Sequence, residues 1–377
     1  MYKRQVQQRT HHLRNRHTGS VSHGALFSVE SCPKGTSTDV TLWLEEPNQD
    51  STTNPVDGKL FFQQLLGILG SGLTLGGNSA RGIGLVETES NQSRYRCYDL
   101  SKITEHGSYL DEHRKWRTDP KCQLDGECLE PFEVKLESLT LDLAFKIPRG
   151  QDVLVADGIG HDHQLEPQRT IDTNGDSFWR IPGSTIRGAL KGWCARLAGI
   201  DGKQVADSAA TYESERRDYS ETELSKSSES AIRDCPIHKL FGSVINPGRI
   251  HVGSGFARSS KSFDGSESGK LAKEEQLRMH VVIDPLSGGA AESLLFDNTV
   301  LTSELDKPFK FRIRVDSPEV HEATWIAKSI AAIHLGVLRI GSSKSAGRLQ
   351  LVSHSAEGKH KENVETILKG CADNGNA

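Results

Sequence analysis

The chain carries one sequence pattern twice, and that repeat limits the folds open to it. Near the start stands His11-His12-Leu13-Arg14-Asn15-Arg16-His17-Thr18-Gly19, followed by Gly24-Ala25-Leu26-Phe27. Near the end stands His280-Val281-Val282-Ile283-Asp284-Pro285-Leu286-Ser287-Gly288, followed by Glu292-Ser293-Leu294-Leu295-Phe296. The spacing from Gly19 to Phe27 equals that from Gly288 to Phe296. The elements that follow match in order. Val40, Leu42 and Leu44 alternate as in a strand, and so do Phe309, Phe311, Ile313 and Val315. Helical spacing comes next in both, through Phe61, Leu65, Ile68 and Leu69 and through Ile326, Ile330 and Ile333. Each copy closes on a glycine-framed turn and a short strand, Gly76–Val86 and Gly341–Leu351.

Residues 9–86 and 278–352 therefore read as two copies of one half-domain in a mixed α+β chain. A long segment, 135–277, precedes the second copy, and almost nothing precedes the first. The expected organisation is the C-terminal part of a first domain (1–90), a linker (91–134), a complete domain (135–355) and a polar tail (356–377). The complete domain carries a charged surface insertion at 201–234, and residues 258–274 are a Ser-, Gly- and Lys-rich loop. The chain is thus expected to start inside its first domain.

Composition narrows the function classes. The net charge is −4, and no run approaches the ~20 apolar residues of a membrane span. That average hides unlike parts. Residues 1–23 hold five bases and no acid, and residues 180–200 hold four bases and no acid. Residues 201–234 hold nine acids against five bases. Indiscriminate coating of nucleic acid is excluded, but a strand held in one basic groove is not. Nothing at the N-terminus reads as a signal peptide, and the seven cysteines are odd in number and scattered. A reducing cytoplasm is expected.

The most informative segment is Trp179-Arg180-Ile181-Pro182-Gly183-Ser184-Thr185-Ile186-Arg187-Gly188-Ala189-Leu190-Lys191-Gly192-Trp193. The alternating strand Leu139, Leu141, Leu143, Phe145, Ile147 precedes it. Ser184 or Thr185 can cap a helix whose apolar stripe is Ile186, Leu190, Trp193 and Leu197. Arg187 and Lys191 share another face. Gly188 and Gly192 each cost ~1 kcal/mol against Ala, which suggests a surface that something approaches closely. A helix N-terminus, a glycine that admits a backbone (Gly183) and two cations suit a phosphate. A capped amphipathic helix with solvated charges fits the same residues. The turn Gly341–Gly347, with Arg339, Lys344 and Arg348, can wrap an oxyanion or can be a flexible hairpin. It lacks P-loop spacing.

Taken in order, Ile181–Gly188, Leu240-Phe241-Gly242-Ser243, Gly248-Arg249-Ile250-His251-Val252 and the closing Gly341–Gly347 turn resemble the RAMP superfamily of type III CRISPR systems. The nearest likeness is to the backbone subunits that line the guide RNA, especially type III-D-like and fused multi-domain forms. It covers 135–352 as one domain and 9–86 as the end of another. The resemblance implies tandem modified ferredoxin-like (RRM-like) domains, the first incomplete. It also implies guide-RNA binding through Gly183, Ser184, Arg187, Lys191, Arg339, Lys344 and Arg348, a target RNA, and assembly with other effector subunits.

In that family an acidic residue on the loop before the Pro-Gly-Ser helix cuts target RNA. Here the loop is 150–169, and Glu166 and Asp162 fall nearest that position. A carboxylate there could hold a divalent metal such as Mg²⁺ or orient the attacking hydroxyl, with His161 and His163 as acid or base. The family usually has Asp at that position, so a non-cutting scaffold is the alternative. A β-hairpin "thumb" is also implied, with Met279–Asp284 and Leu294–Phe296 flanking it or belonging to the core. Cys235 and His238 have the spacing of zinc ligands, but no second pair stands beside them, and a buried Cys with a helix-start His is the preferred reading. His11, His12, His17 and His23 beside Arg9, Arg14 and Arg16 leave a guide-processing endoribonuclease open as a third reading.

Overall fold

The spacing shared by the two copies is that of a hairpin. β1 (Gln7–Arg14) pairs antiparallel with β2 (Val21–Ser31), placing His11 opposite Phe27, His12 opposite Leu26 and Arg14 opposite Val21. In the second copy β12 (Glu275–Ile283) pairs with β13 (Ala290–Leu301), placing His280 opposite Phe296, Val281 opposite Leu295 and Ile283 opposite Ala290. Every pair of the first ladder has its counterpart in the second. Both also shift register at the equivalent step, between His12 and Arg14 and between Val281 and Ile283. The computed structural model describes residues 7–14, 21–32, 35–44, 57–70, 73–74, 76, 84–86, 93–100, 102–118, 126–132, 137–156, 165–206, 232–243, 247–260, 271–283, 286–341 and 346–374.

Two units divide the chain, one of 1–38, 77–83 and 137–377, the other of 39–76 and 84–136. The first is built on β7 (Ser138–Lys146), where Leu139, Leu141, Leu143 and Phe145 are all buried. Burying such a side chain is worth roughly 1.5–3 kcal/mol over leaving it exposed, so the alternation selects a strand with one wet face. β14 (Phe309–Asp316) does the same with Phe309, Phe311, Ile313 and Val315, and pairs with β7 from Phe309↔Phe145 to Asp316↔Ser138.

The seven-stranded sheet runs in the order β15 (Gln350–Gly358), β7, β14, β11 (Gly255–Arg258), β9 (Ser177–Ile181), β8 (Arg169–Ile171). β10 (Ile250–Val252) also pairs with β14. Every ladder in it is antiparallel. α3 (Gly183–Ile200) follows β9, and α5 (Val320–His334) joins β14 to β15. The core order is strand β7, helix α3, strands β10–β11, strand β14, helix α5, strand β15, compatible with a ferredoxin-like fold.

Local chemistry sets the helices. α5 starts on a capping box, in which Glu319 and Glu322 each accept a backbone N–H from the other's position. The buried side of α3 is Ile186, Leu190, Cys194 and Ala198. Trp193 and Leu197, expected in that stripe, are half-buried at its border. The helix begins at Pro182 with no side-chain cap, so neither Ser184 nor Thr185 has the expected capping role. The tail expected to be polar continues β15 and then forms α6 (Lys361–Asn374), which seals Val364 and Leu368 into the core. Its sequence signal was the i, i+3, i+4 spacing of Val364, Ile367 and Leu368.

The second unit holds α1 (Gly58–Gly70), the short pairs β3 (Leu73–Thr74) with β4 (Leu85–Val86) and β5 (Arg94–Tyr95) with β6 (Glu127–Cys128), and α2 (Ile103–Thr118). Asp57 caps α1 through Lys59 N at 3.0 Å and Leu60 N at 3.2 Å. α2 lies in the stretch expected to be a linker. Residues 40–44, expected as a strand, join no ladder among the described residues; Val40 is 72% exposed, while the Trp43 ring meets Tyr109 edge-on at 5.7 Å. The insertion at 201–234 and the loop at 258–274 lie largely outside the described residues. Among the described residues no helix is long and apolar enough to cross a membrane.

Candidate nucleic-acid interface

Most of the motif residues clasp the chain's own backbone. Gly183 is buried against Val252 and Gly253 at the turn between β10 and β11, and a Cβ there would overlap the Val252 carbonyl oxygen. Its N–H donates to Ser254 Oγ at 3.2 Å, as does Arg180 at 3.0 Å. The close backbone approach that this glycine permits is therefore the protein's own. Arg187 donates to the Phe241 carbonyl, and Lys191 Nζ to the Gly242 carbonyl at 3.2 Å. Those carbonyls end α4 (Pro236–Phe241), where cations are favoured by the helix dipole. Ser184 is half-buried one residue into α3. Gly188 and Gly192 differ: a Cβ at either meets nothing within 4 Å among the described residues, so the glycine face of α3 is open.

The Gly-Arg-Ile-His-Val segment is a second clasp. Gly248 lies against the Phe241–Gly242 backbone, where a Cβ would come within 2.9 Å. Arg249 pairs with the buried Glu322 carboxylate and donates to the Ser317 carbonyl at 2.7 Å. His251 meets Asp316 at 3.2 Å; that hydrogen bond, helped by Arg314, holds the Asp316 carboxyl below its usual range.

The acidic loop and the glycine turn converge on the base of the β12–β13 hairpin. Val153, in the acidic loop, exchanges two backbone hydrogen bonds with Leu301 of β13, and Leu165 accepts from Thr299 N at 2.9 Å. Asp152 takes Arg278 of β12 at 2.8 Å, while its carbonyl accepts the Gly347 N–H at 2.7 Å. Gly341, with φ 134°, packs on Leu154, and Gly347, with φ 100°, accepts Ile340 N at 2.8 Å. Acidic loop, hairpin base and glycine turn are thereby tied together. Arg339 and Arg348 are exposed on the turn's two stems. Gly336, with φ 76°, leaves room for Arg348, whose Nε would lie 2.8 Å from a Cβ there. Lys344 and Asp162, like His161 and His163, lie outside the described residues. Glu166 is described, and its carboxylate is paired with Arg169.

Two buried titratable groups brace this region. Glu274, just before β12, accepts Trp179 Nε1 at 2.8 Å and Ser260 N at 2.7 Å. Burial pushes its carboxyl up, but the Ser260 and Trp179 donors outweigh that and hold it below the usual range. His334 Nδ1 accepts Leu351 N at 3.1 Å, and burial, with Arg348 nearby, pushes its pKa down. On β12 itself, Leu277, Met279, Val281 and Ile283 form an exposed apolar ridge, the last three being 68%, 49% and 62% exposed. They belong to the hairpin and not to the core. Cys235 and His238 are buried at the start and middle of α4. Among the described residues no group of three or more His, Cys, Asp and Glu gathers to hold a metal.

The fold, the clasps and the tied hairpin base occupy one continuous stretch of sequence. Residues 163–348 match the RAMP superfamily. The matched span is just under half of the chain and supports membership of that superfamily. No curated protein matches the sequence. The RAMP span runs from the acidic loop through α3, both clasps, the hairpin and α5 to the glycine turn. It excludes the first hairpin. Sequence reasoning missed the roles of Glu274 and Arg278 within the matched span and of Asp152 just before it. Their only signal was polar residues at the ends of alternating stretches.

Proposed function

We propose that this chain is a guide-RNA-binding backbone subunit of a type III CRISPR effector, built from tandem RAMP units and acting with target RNA and other effector subunits. One observation carries the reading: a ferredoxin-like RAMP core projects a hairpin whose base is fastened to a glycine turn flanked by Arg339 and Arg348. The repetition of that hairpin's register near the start of the chain supports the tandem form. Exposed cations on a turn give a phosphate-dominated, salt-sensitive grip. The full chain should bind guide RNA with an affinity that falls steeply with salt. Changing Arg339 and Arg348 to Gln should lower the slope of log K against log salt by about 1.4, two phosphates at ~0.7 each. A slope that stays at the wild-type value removes these residues from the interface.

The scaffold reading draws its support from the pairing of Glu166 with Arg169, with which a divalent ion such as Mg²⁺ would have to compete. The cutting reading draws its support from Leu165, whose bridge to the hairpin base at Asn298 puts Glu166 beside the RNA path proposed here. Cleavage of guide-complementary RNA that disappears in the Asp162→Ala/Glu166→Ala variant would establish it. Equal cleavage by wild type and variant would assign any activity elsewhere.

A further inference from the structure

The main sheet has a second face, turned away from α3 and α5. Strand alternation puts Lys146 of β7, Lys310 of β14, Phe256 and Arg258 of β11 and Phe178 of β9 on it. Their neighbours Phe145, Phe309, Phe311, Ala257 and Trp179 are buried on the helix side. Phe256 stands between Lys310 and the buried Arg180, and Arg258 stands opposite Phe178. The two phenylalanines are therefore diagonal neighbours, with Cβ atoms about 7–8 Å apart. Both are only half-buried, while Lys146, Lys310 and Arg258 are exposed.

Charge is uneven across this face. Farther along β14, Arg312 is paired with Asp142 and Arg314 with Asp316. At the phenylalanine end Arg258 meets Asp176 at 2.6 Å, but neither Lys146 nor Lys310 has an ion-pair partner among the described residues. Positive charge is thus left over where the aromatic rings are. Aromatic side chains on a sheet, flanked by unneutralised cations, are suited to unpaired bases: rings stack on base faces while lysines take phosphates. A protein partner fits less well, because lysines are depleted at protein–protein interfaces.

We propose that this face, centred on Phe256 with Lys146 and Lys310, is a stacking platform for single-stranded RNA. The proposal rests on the RNA-binding reading above and adds where an unpaired stretch of the RNA lies. The test is titration of the full chain with fluorescein-labelled oligouridylate over a salt series. Phe256→Leu keeps an apolar side chain but removes the ring; it should weaken binding about tenfold with an unchanged salt slope. Lys146→Gln/Lys310→Gln should lower the slope by about 1.4. The lysines are exposed, so that variant decides the matter if Phe256→Leu fails to fold. Wild-type affinity and slope in both variants would overturn the platform and leave RNA binding elsewhere on the chain intact. A wild-type chain that binds no RNA would overturn both readings.

Discussion

Replacing Arg249 with Met should destabilise the larger unit by about 3 kcal/mol, the lower end of the range for breaking a buried ion pair. The figure follows from the geometry. The Glu322 side chain is 2% exposed and that of Arg249 29%, so the substitution strands a carboxylate that water cannot reach. Among the described residues one donor remains to it, Glu319 N at 2.9 Å. The guanidinium also leaves the Ser317 carbonyl, at a residue whose φ of 43° is unusual for a side chain other than glycine. Glu322→Gln supplies the second arm of a double-mutant cycle. It keeps the capping-box geometry and deletes the charge. Alone it should cost about 1–2 kcal/mol, since Arg249 loses its ionic partner. In the Arg249→Met background it should instead stabilise by a similar amount, because the stranded charge is gone. Equilibrium urea unfolding followed by far-UV circular dichroism gives the four free energies. A loss under 1 kcal/mol for Arg249→Met, or the same sign for Glu322→Gln in both backgrounds, would refute the clasp.

Three further outcomes follow from the same structure. Gly183→Ala should cost roughly 3 kcal/mol through overlap with the Val252 carbonyl, whereas Gly188→Ala, facing open space, should gain up to ~1 kcal/mol of helix propensity; thermal melts of the two variants compare them directly. His334 has a folded pKa below its unfolded value near 6.5, so its contribution is complete above about pH 6.5 and is lost as pH falls towards the folded value. The wild-type urea midpoint should therefore drop between pH 7 and pH 5.5 more than that of His334→Asn. Burial pushes the Cys194 thiol up to about 12, so a maleimide should label exposed Cys32, Cys97 and Cys128 in the native protein and Cys194 only after unfolding, as read by peptide mass spectrometry.

What could be read from the sequence depended on whether a residue's partner was local. Alternation in β7 and β14 and the helical period of α5 announce themselves because each side chain's fate is decided by its own element. The repeat spacing marked the two segments as equivalent, while the pairing register and the step where both ladders shift appear only in the structure. Arg187, Lys191 and Arg249 could not be read that way. Their partners Phe241, Gly242 and Glu322 are 51 to 73 residues distant, and a cation two turns into a helix has the same sequence whether it meets phosphate or a carbonyl. Gly183 and Gly188 show the same limit, one glycine making room for the protein and the other facing open space. Residues 40–44 alternate well and still join no described ladder, since a strand needs neighbours as well as a pattern.

The repeated hairpin register has a consequence for how such a chain can change. A ladder assigns faces by parity, so losing one residue from β12 would turn Leu277, Met279 and Val281 inside out against their surroundings, whereas losing two would only shorten the arm. At the equivalent register positions β1 carries Gln8, Thr10 and His12, polar where β12 is apolar. The two arms share one length grammar and differ in the vocabulary on it. Substitution is cheap in these hairpins, single-residue insertion or deletion is not, and the arms can diverge in what they touch without losing the frame that presents it.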